Sequence, residues 1–434
     1  MFPCHTPHPH SDPPETRNPK PETQMDTYLL GLPGTTHAHA GIAPGNVASA
    51  AHRDRPGSPR AAALQVLALA RRLLDRGVPV ALLPPLPRPD PDFVAACALG
   101  PGPDPDELWK SAGSSAFMWA ANAATVIPGE DRGGGRAFVL PANLCATPHR
   151  ALEAAGRTAQ LRAILDPALV EVADPLPATP ALADEGAANH HRILVDGGAV
   201  HVVVHGREPG LDPAAGPRRM PARQPRAVGQ VLARRAGVPV VAVRQHPDAI
   251  DAGAFHNDVV MVGHRNLILV HERAWVDQPA VLSQLAAMAP GLRTEVVAER
   301  DLPLEAAVRC YLFNGVLIDH PGAPWLIVPG ECAEPAPDAV LRRLRERGAI
   351  AGWDCVDLRE SMMGGGGPAC LRLRLPLPAM AVRPGFRLDA ARIAAAEDAV
   401  RHCWRDRLAP ADLADPALPD EDARARDALA AVLA

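Results

Sequence analysis

The sequence predicts an α/β fold in which repeated strand–turn–strand units, separated by helices, pack around a common axis. Three observations predict it. An Asn-containing turn, a strand, a Gly-rich tight turn and a second strand recur five times, at roughly 60-residue intervals typical of repeat architectures. Helical patterns rich in Ala, Leu and Arg fill the intervals. Side chains able to do chemistry stand at the starts of the units. Units that cannot bury a face alone stack on their neighbours, which brings equivalent strand starts to one central site. An ordinary mixed α/β sheet is the competing arrangement.

Length alone, 434 residues, suggests two or three domains. The repeat argues instead for one domain over 27–434, preceded by a Pro/His-rich tail over 1–26 with almost nothing to bury and therefore expected to be disordered. His5, His8 and His10 in that tail read as solvated rather than metal-binding, and Met25 stands as an alternative start. A content of 47% hydrophobic and 21% charged residues marks a globular chain, and a net charge of -5 argues against nucleic acid or an anionic membrane as partner. Cys4, Cys97, Cys145, Cys310, Cys332, Cys355, Cys370 and Cys403 show no CxxC and no regular spacing, so neither a zinc site nor a disulfide framework is expected. Reduced thiols, no membrane-length apolar run and no signal-peptide core together suggest a soluble, cytoplasmic protein.

In chain order, the ordered part begins near Tyr28. Gly31–Ala50 lacks any period and is rich in Gly and His, the pattern of a surface loop able to fold over a ligand. Ser58-Pro59 opens a helix running to Asp75 and stopping near Gly77. VPVALL then reads as a strand before a Pro-rich loop. The repeated units open at Ala121, Ala188, His256, Phe313 and Gly365, and the clearest helices span 227–237, 339–348 and 388–408. In the last unit Gly364-Gly365-Gly366-Gly367 precedes Cys370 and an alternating Leu/Arg strand. Glycines permit close backbone approach, so the thiol is either at a strand mouth facing a cleft or a small buried hydrophobe.

Asn122 opens the first unit, Glu185 precedes the second, His256 and Asp258 open the third and Cys370 the fifth. Brought together they would supply a nucleophile, a general base and a holder for a cation. Taken singly they read equally as a solvated Glu, a turn His and a buried Cys. Arg223 and the pair His149-Arg150 are suited to gripping an anionic group, with a surface Arg as the plainer alternative.

The motifs GNVASA, MWAANAATVIP, LPANL, DEGAANH, PARQ, FHNDVV, YLFN, VPGEC and GGGPACLRLR, in this order, resemble those of the N-succinylarginine dihydrolases, within the guanidino-group-modifying (pentein) superfamily. The resemblance runs from about residue 28 to 434. It implies a five-bladed β/α propeller of strand-strand-helix-strand units. It also implies Cys370 as nucleophile, His256 as general base and Glu185 as acidic partner. Substrate contacts carry over to Ala40, Gly41, Gly45, Asn46, Val47, Ala48, Ser49, Asn122, His149, Arg150, Arg223 and Asp258. The implied reaction turns succinylarginine and two waters into succinylornithine, two ammonias and carbon dioxide. It calls for no cofactor and no metal, and the family suggests a homodimer. Gly364 stands where Asn is usual, Ala43-Pro44 replaces a Ser-aromatic pair, and His39 stands where Tyr is common. These departures keep open a single-step guanidino hydrolase or deiminase ending at a ureido product, and a non-catalytic guanidino-ligand binding protein.

Overall fold

A computed structural model of the chain describes residues 26–100 and 106–434; the expected tail therefore lies outside the described residues, apart from its last residue. Strand β1 (Thr27–Gly31) is joined by the helix Pro59–Asp75 to β2 (Val80–Leu83), which runs parallel to it. Four sets of three follow. They are β3 (Ala124–Ile127), β4 (Ala137–Pro141) and β5 (Val170–Val172), then β6 (His190–Val195), β7 (Gly198–His205) and β8 (Val240–Arg244). Next come β9 (Met261–His264), β10 (Leu267–His271) and β11 (Arg293–Val297), then β12 (Val316–Ile318), β13 (Trp325–Pro329) and β14 (Gly352–Val356). The last strand, β15 (Arg372–Leu375), returns to pair antiparallel with β1, Leu373 opposite Leu29.

The described strands form five three-stranded sheets with one pattern: an antiparallel pair, then a third strand parallel to the second. Parallel neighbours need a crossover connection, and a helix supplies each one: Pro59–Asp75, Glu153–Ile164, Arg226–Ala236, Gln278–Met288 and Pro335–Glu346. The first of these shows why the chain turns helical where it does. Ser58 accepts the Ala61 N–H as N-cap, Pro59 takes the first helical position, and Val66, Leu67, Leu69, Ala70 and Leu73 form a buried stripe. Both faces of β1 are covered: Tyr28 and Leu30 pack with that stripe, while Leu29 packs with Val126, Val139 and Leu161. The first strands of several sheets touch one another, β15 against β3, β6 against β9 and β9 against β12.

Three expectations need correction. The fifth unit is no hairpin: β15 finds its antiparallel partner in β1, at the other end of the chain, so no local turn announces it. The Gly31–Ala50 stretch is largely buried rather than a surface loop, and it ends in a short helix, Val47–Ala51, capped by Asn46. Thr35 donates to Asp422 at 2.7 Å and Thr36 pairs with Ser115 at 3.3 Å, while His37 Nε2 and both ring nitrogens of His39 are buried without hydrogen-bond partners. Finally, the helix expected over 388–408 covers Ala390–Cys403. Trp404 leaves it in an extended conformation, fully buried, its indole N–H donating to the Pro33 carbonyl at 3.1 Å. A separate helix, Leu418–Leu433, packs against it.

Candidate active site

The turns that open the sheets are stitched to one another. Asn122 Nδ2 donates to the Glu185 carbonyl at 2.8 Å, and the Asn257 N–H donates to Asn189 Oδ1 at 2.9 Å. Asn314 Nδ2 donates to the Asp258 carbonyl at 3.3 Å while its Oδ1 accepts the Cys370 N–H at 3.2 Å, and the Ala121 N–H donates to the Cys370 carbonyl at 3.1 Å. The hydrogen bonds run through all five units and back to the first. Pairing of this kind is the condition for burying so many polar turns in one place, and Asn189 Nδ2 is the exception within the network, buried without a partner.

Glu185 is fully buried within this network. Its Oε2 accepts the His256 Nε2 hydrogen bond at 2.6 Å, pairs with the Arg150 guanidinium, and lies 3.7 Å from Arg223 Nη1. Burial pushes the carboxyl up, but Arg150, His256 and Arg223 outweigh it and hold the group below the usual carboxylate range. A carboxylate only accepts, so His256 carries its proton on Nε2, and Nδ1, which has no hydrogen-bond partner, keeps its lone pair. Burial takes the imidazole down to about 4, against the opposing pull of Glu185. His256 is therefore neutral near pH 7.

Cys370 lies 3.8 Å from Asp258, sulfur to Oδ2. Burial, and next the Asp258 charge, push the thiol well above its ordinary value; burial also pushes the Asp258 carboxyl up to about 7, with Arg372 pulling the other way. The thiol therefore keeps its proton at neutral pH, beside a carboxyl whose titration is moved up toward neutrality.

A cleft enclosing about 690 Å³ is lined by Cys370, His256, Arg150, Arg223, His149, Asn122, Asn46 and Ser49, and by Ala40 and Gly41. Of the other expected substrate contacts, Gly45, Val47 and Ala48 do not line it, and Val47 is exposed. Asp258 faces a second cavity, shared with His191 and Arg372, while its carboxylate reaches Cys370 from that side. Glu185 does not line the cleft either: it sits behind His256 and Arg150, its Oε2 already engaged by both. Arg150 Nη2 and Arg223 Nε are buried without partners, and the Arg223 guanidinium stacks 4.6 Å from the Phe255 ring. Unspent donors on two guanidinium groups are suited to a carboxylate ligand. Burial takes His149 down to about 3, so it enters the cleft as a neutral ring.

The glycine run approaches protein side chains. Gly365, at φ +89°, would put a Cβ 2.1 Å from Asn46 Oδ1. Asn46 Nδ2 donates to the Gly364 carbonyl at 2.9 Å, and the Tyr311 hydroxyl donates to the Gly365 carbonyl at 2.8 Å. Asn314, Tyr311 and Gln224, which accepts the Glu185 N–H at 2.9 Å, were not among the expected site residues. For Asn314 a signal existed, since it opens the fourth unit in YLFN as Asn122 opens the first.

Comparison with known proteins places this arrangement. The chain is 42% identical over 433 residues to the N-succinylarginine dihydrolase of Burkholderia thailandensis, covering 93% of this chain and 96% of that one. It is 41% identical over 428 residues to the N-succinylarginine dihydrolase of Paraburkholderia xenovorans, with the same coverage. Among solved structures it resembles the substrate-bound N-terminal domain of ArgZ, a cyanobacterial arginine dihydrolase, with a TM-score of 0.54 at 16% identity over 82% of this chain and 99% of that one. It also resembles unliganded AgrE, with a TM-score of 0.56 at 16% identity over 88% of this chain and 46% of that one. At such identities the likeness is one of fold, the pentein fold. The succinylarginine dihydrolase family model matches residues 23–434, and with relatives this similar over nearly their whole length the chain belongs to that family.

Proposed function

We propose that the protein hydrolyses the guanidino group of N2-succinyl-L-arginine to give N2-succinyl-L-ornithine, two ammonias and carbon dioxide, with Cys370 as nucleophile, His256 as base and acid, and Glu185 as its orienting partner. The observation that carries this reading is the Glu185–His256 pair at 2.6 Å, set in one network with the Cys370 thiol behind a cleft that both His256 and Cys370 line. A guanidinium carbon is a poor electrophile, and a thiolate is the strongest nucleophile the side chains offer. The thiol rests protonated; a cation arriving beside it, within reach of the Asp258 charge, favours the thiolate and the ionised Asp258 together. The proton passes to His256 Nδ1, which Glu185 leaves free.

Sulfur attacks the guanidinium carbon, His256 gives its proton to the departing nitrogen, and the first ammonia leaves. His256 then takes a proton from water, whose oxygen adds to the carbon and expels the sulfur, leaving a ureido group. A second attack by Cys370 on that carbon releases the second ammonia, and a second water frees a carbamate that breaks down to the ornithine amine and carbon dioxide. Arg150 and Arg223 hold the carboxylates of the substrate, away from the reacting carbon.

The same reading takes residues 27–434 as one catalytic domain and the five sheets as the blades of a propeller, supported by the cycle of hydrogen bonds that joins the opening turns. A homodimer acting in the cytoplasm follows from the family, and light scattering at twice the chain mass checks the first. The deciding assay counts ammonia per succinylarginine consumed. Two is expected; one, with a ureido product accumulating, sinks the proposal in favour of a deiminase, and none in favour of a binding protein.

A further inference from the structure

We propose that His37, His39 and Glu360 form a site for a zinc-class divalent cation on the rim of the cleft, where the ion ties the N-terminal loop to the helix that leads into the glycine run. One ligand atom from each residue lies within 4.8 Å of the other two. His37 Nε2 is 3.8 Å and His39 Nε2 3.6 Å from Glu360 Oε2. Both separations are too long for hydrogen bonds. They lie just above the roughly 3.3 Å expected between ligands held about 2 Å from one tetrahedral ion.

The second observation is what these atoms lack. His37 and His39 are 4% and 2% exposed, yet neither Nε2 has a hydrogen-bond partner, and His39 Nδ1 has none either. A buried polar atom without a partner destabilises the fold, and here two imidazole nitrogens converge on one carboxylate with that need unmet. The Ser58 N–H donates to Glu360 Oε2 at 2.9 Å and fixes that carboxylate, as groups outside a metal's own ligands commonly do. Imidazole with one carboxylate suits zinc better than magnesium or calcium.

Both histidines line the cleft, so the fourth position of a three-ligand site would open toward it and take water or a substrate atom. Glu360 lies in the helix Arg359–Gly364, which ends where Asn46 grips the Gly364 carbonyl. The ion would therefore join two segments of the cleft wall. Cysteine spacing could not reveal the site, because its ligands are His and Glu from opposite ends of the chain. His39 stands where the family resemblance leads one to expect Tyr. The inference is independent of the proposed reaction.

The test uses the full chain, stripped by a chelator and titrated with zinc chloride by calorimetry and elemental analysis, and with cobalt(II) as a visible probe. One equivalent of zinc is expected in the wild type and in Cys370→Ala, together with a rise in melting temperature. Both are lost in Glu360→Gln and in His39→Tyr, each checked for folding by circular dichroism. Cobalt should give four-coordinate d–d bands without sulfur charge transfer. Failure to bind zinc stoichiometrically overturns the site. So does an equivalent that survives both ligand substitutions or vanishes in Cys370→Ala. The cobalt spectrum of the wild type decides alone if the variants do not fold, because thiolate charge transfer or six-coordinate bands would also sink it.

Discussion

At the residue scale, the site is a set of buried charges that hold one another in place. Glu185 shares one oxygen between His256 and Arg150, and removing one partner of a buried ion pair costs about 3–5 kcal/mol because the other is left uncompensated. Glu185→Gln keeps the shape and removes the charge. It is expected to lower the unfolding free energy by an amount of that order, and to cut kcat on the order of 10²–10⁴-fold, the range for loss of a positioned base. An unchanged urea midpoint would show that the pairing carries no such weight. Cys370→Ala should abolish turnover, a loss on the order of 10⁴-fold or more, while succinylarginine still binds by calorimetry. Asp258 supplies the pH dependence. Its carboxyl is pushed up to about 7, so it ionises only as pH rises through neutrality, and kcat/KM of the free enzyme is expected to climb through that same region. In Asp258→Asn the climb disappears and kcat/KM is low at every pH; a profile flat across neutrality in the wild type would remove Asp258 from the role of cation holder.

Among the elements, what the sequence displayed were those whose signals are local. Ser58-Pro59 announces its helix because the cap and the first-turn proline are contiguous with the apolar stripe they start. The hairpins of β6–β7 and β9–β10 are legible from alternation and short turns. β15 is different, since its partner β1 lies at the far end of the chain and no periodicity in Leu371–Leu375 says so. Helix 388–408 was overread for a related reason: Ala/Arg/Leu propensity continues past Cys403, but burial of Trp404 against the N-terminal loop overrides it. The glycine run was legible as a place of close approach, though not what approaches. Gly365 shows the energetic consequence. Its φ of +89° and the 2.1 Å that would separate an added Cβ from Asn46 Oδ1 mean that Gly365→Ala takes on about 1–2 kcal/mol of left-handed strain and displaces the side chain that caps Val47–Ala51. Lower stability in urea and a raised KM are expected together, because Asn46 lines the cleft. A variant as stable as the parent would mean that the loop gives way freely.

Over the whole molecule, the candidate site was legible as types of residue at repeat starts, and only assembly of the chain tells which of them meet. Glu185 and His256 come together, whereas Asp258 opens onto a different cavity from the one Cys370 lines. The same assembly buries many of the imidazoles, and this makes a prediction for the entire fold. Burial is the main cause that lowers His37 and His149 to about 3, His256 to about 4, and His39, His264 and His271 below their ordinary value. Such a group stays neutral in the folded chain while its unfolded counterpart takes up a proton below about 6.5. The unfolded state then binds more protons, so stability rises with pH through this window and is lost on acidification from about pH 6.5 toward 4. Asp258 and Asp184, pushed by burial up to about 7 and about 6, act oppositely above their ordinary range near 4, because the folded chain keeps their protons longer. Glu185 is held low and adds stability that is lost only further into acid. Among the described residues ten histidines are lowered chiefly by burial, against four raised carboxyls, Asp184, Asp258, Glu153 and Glu360; this leaves a net uptake on unfolding, so each pH unit below about 6 should remove about 1.4 kcal/mol or more, the value of one proton. Urea unfolding at pH 7 and pH 5 measures it directly. A midpoint that holds or rises at the lower pH would mean that the buried imidazoles are already charged in the folded protein, and with that the neutral His256 base would fail.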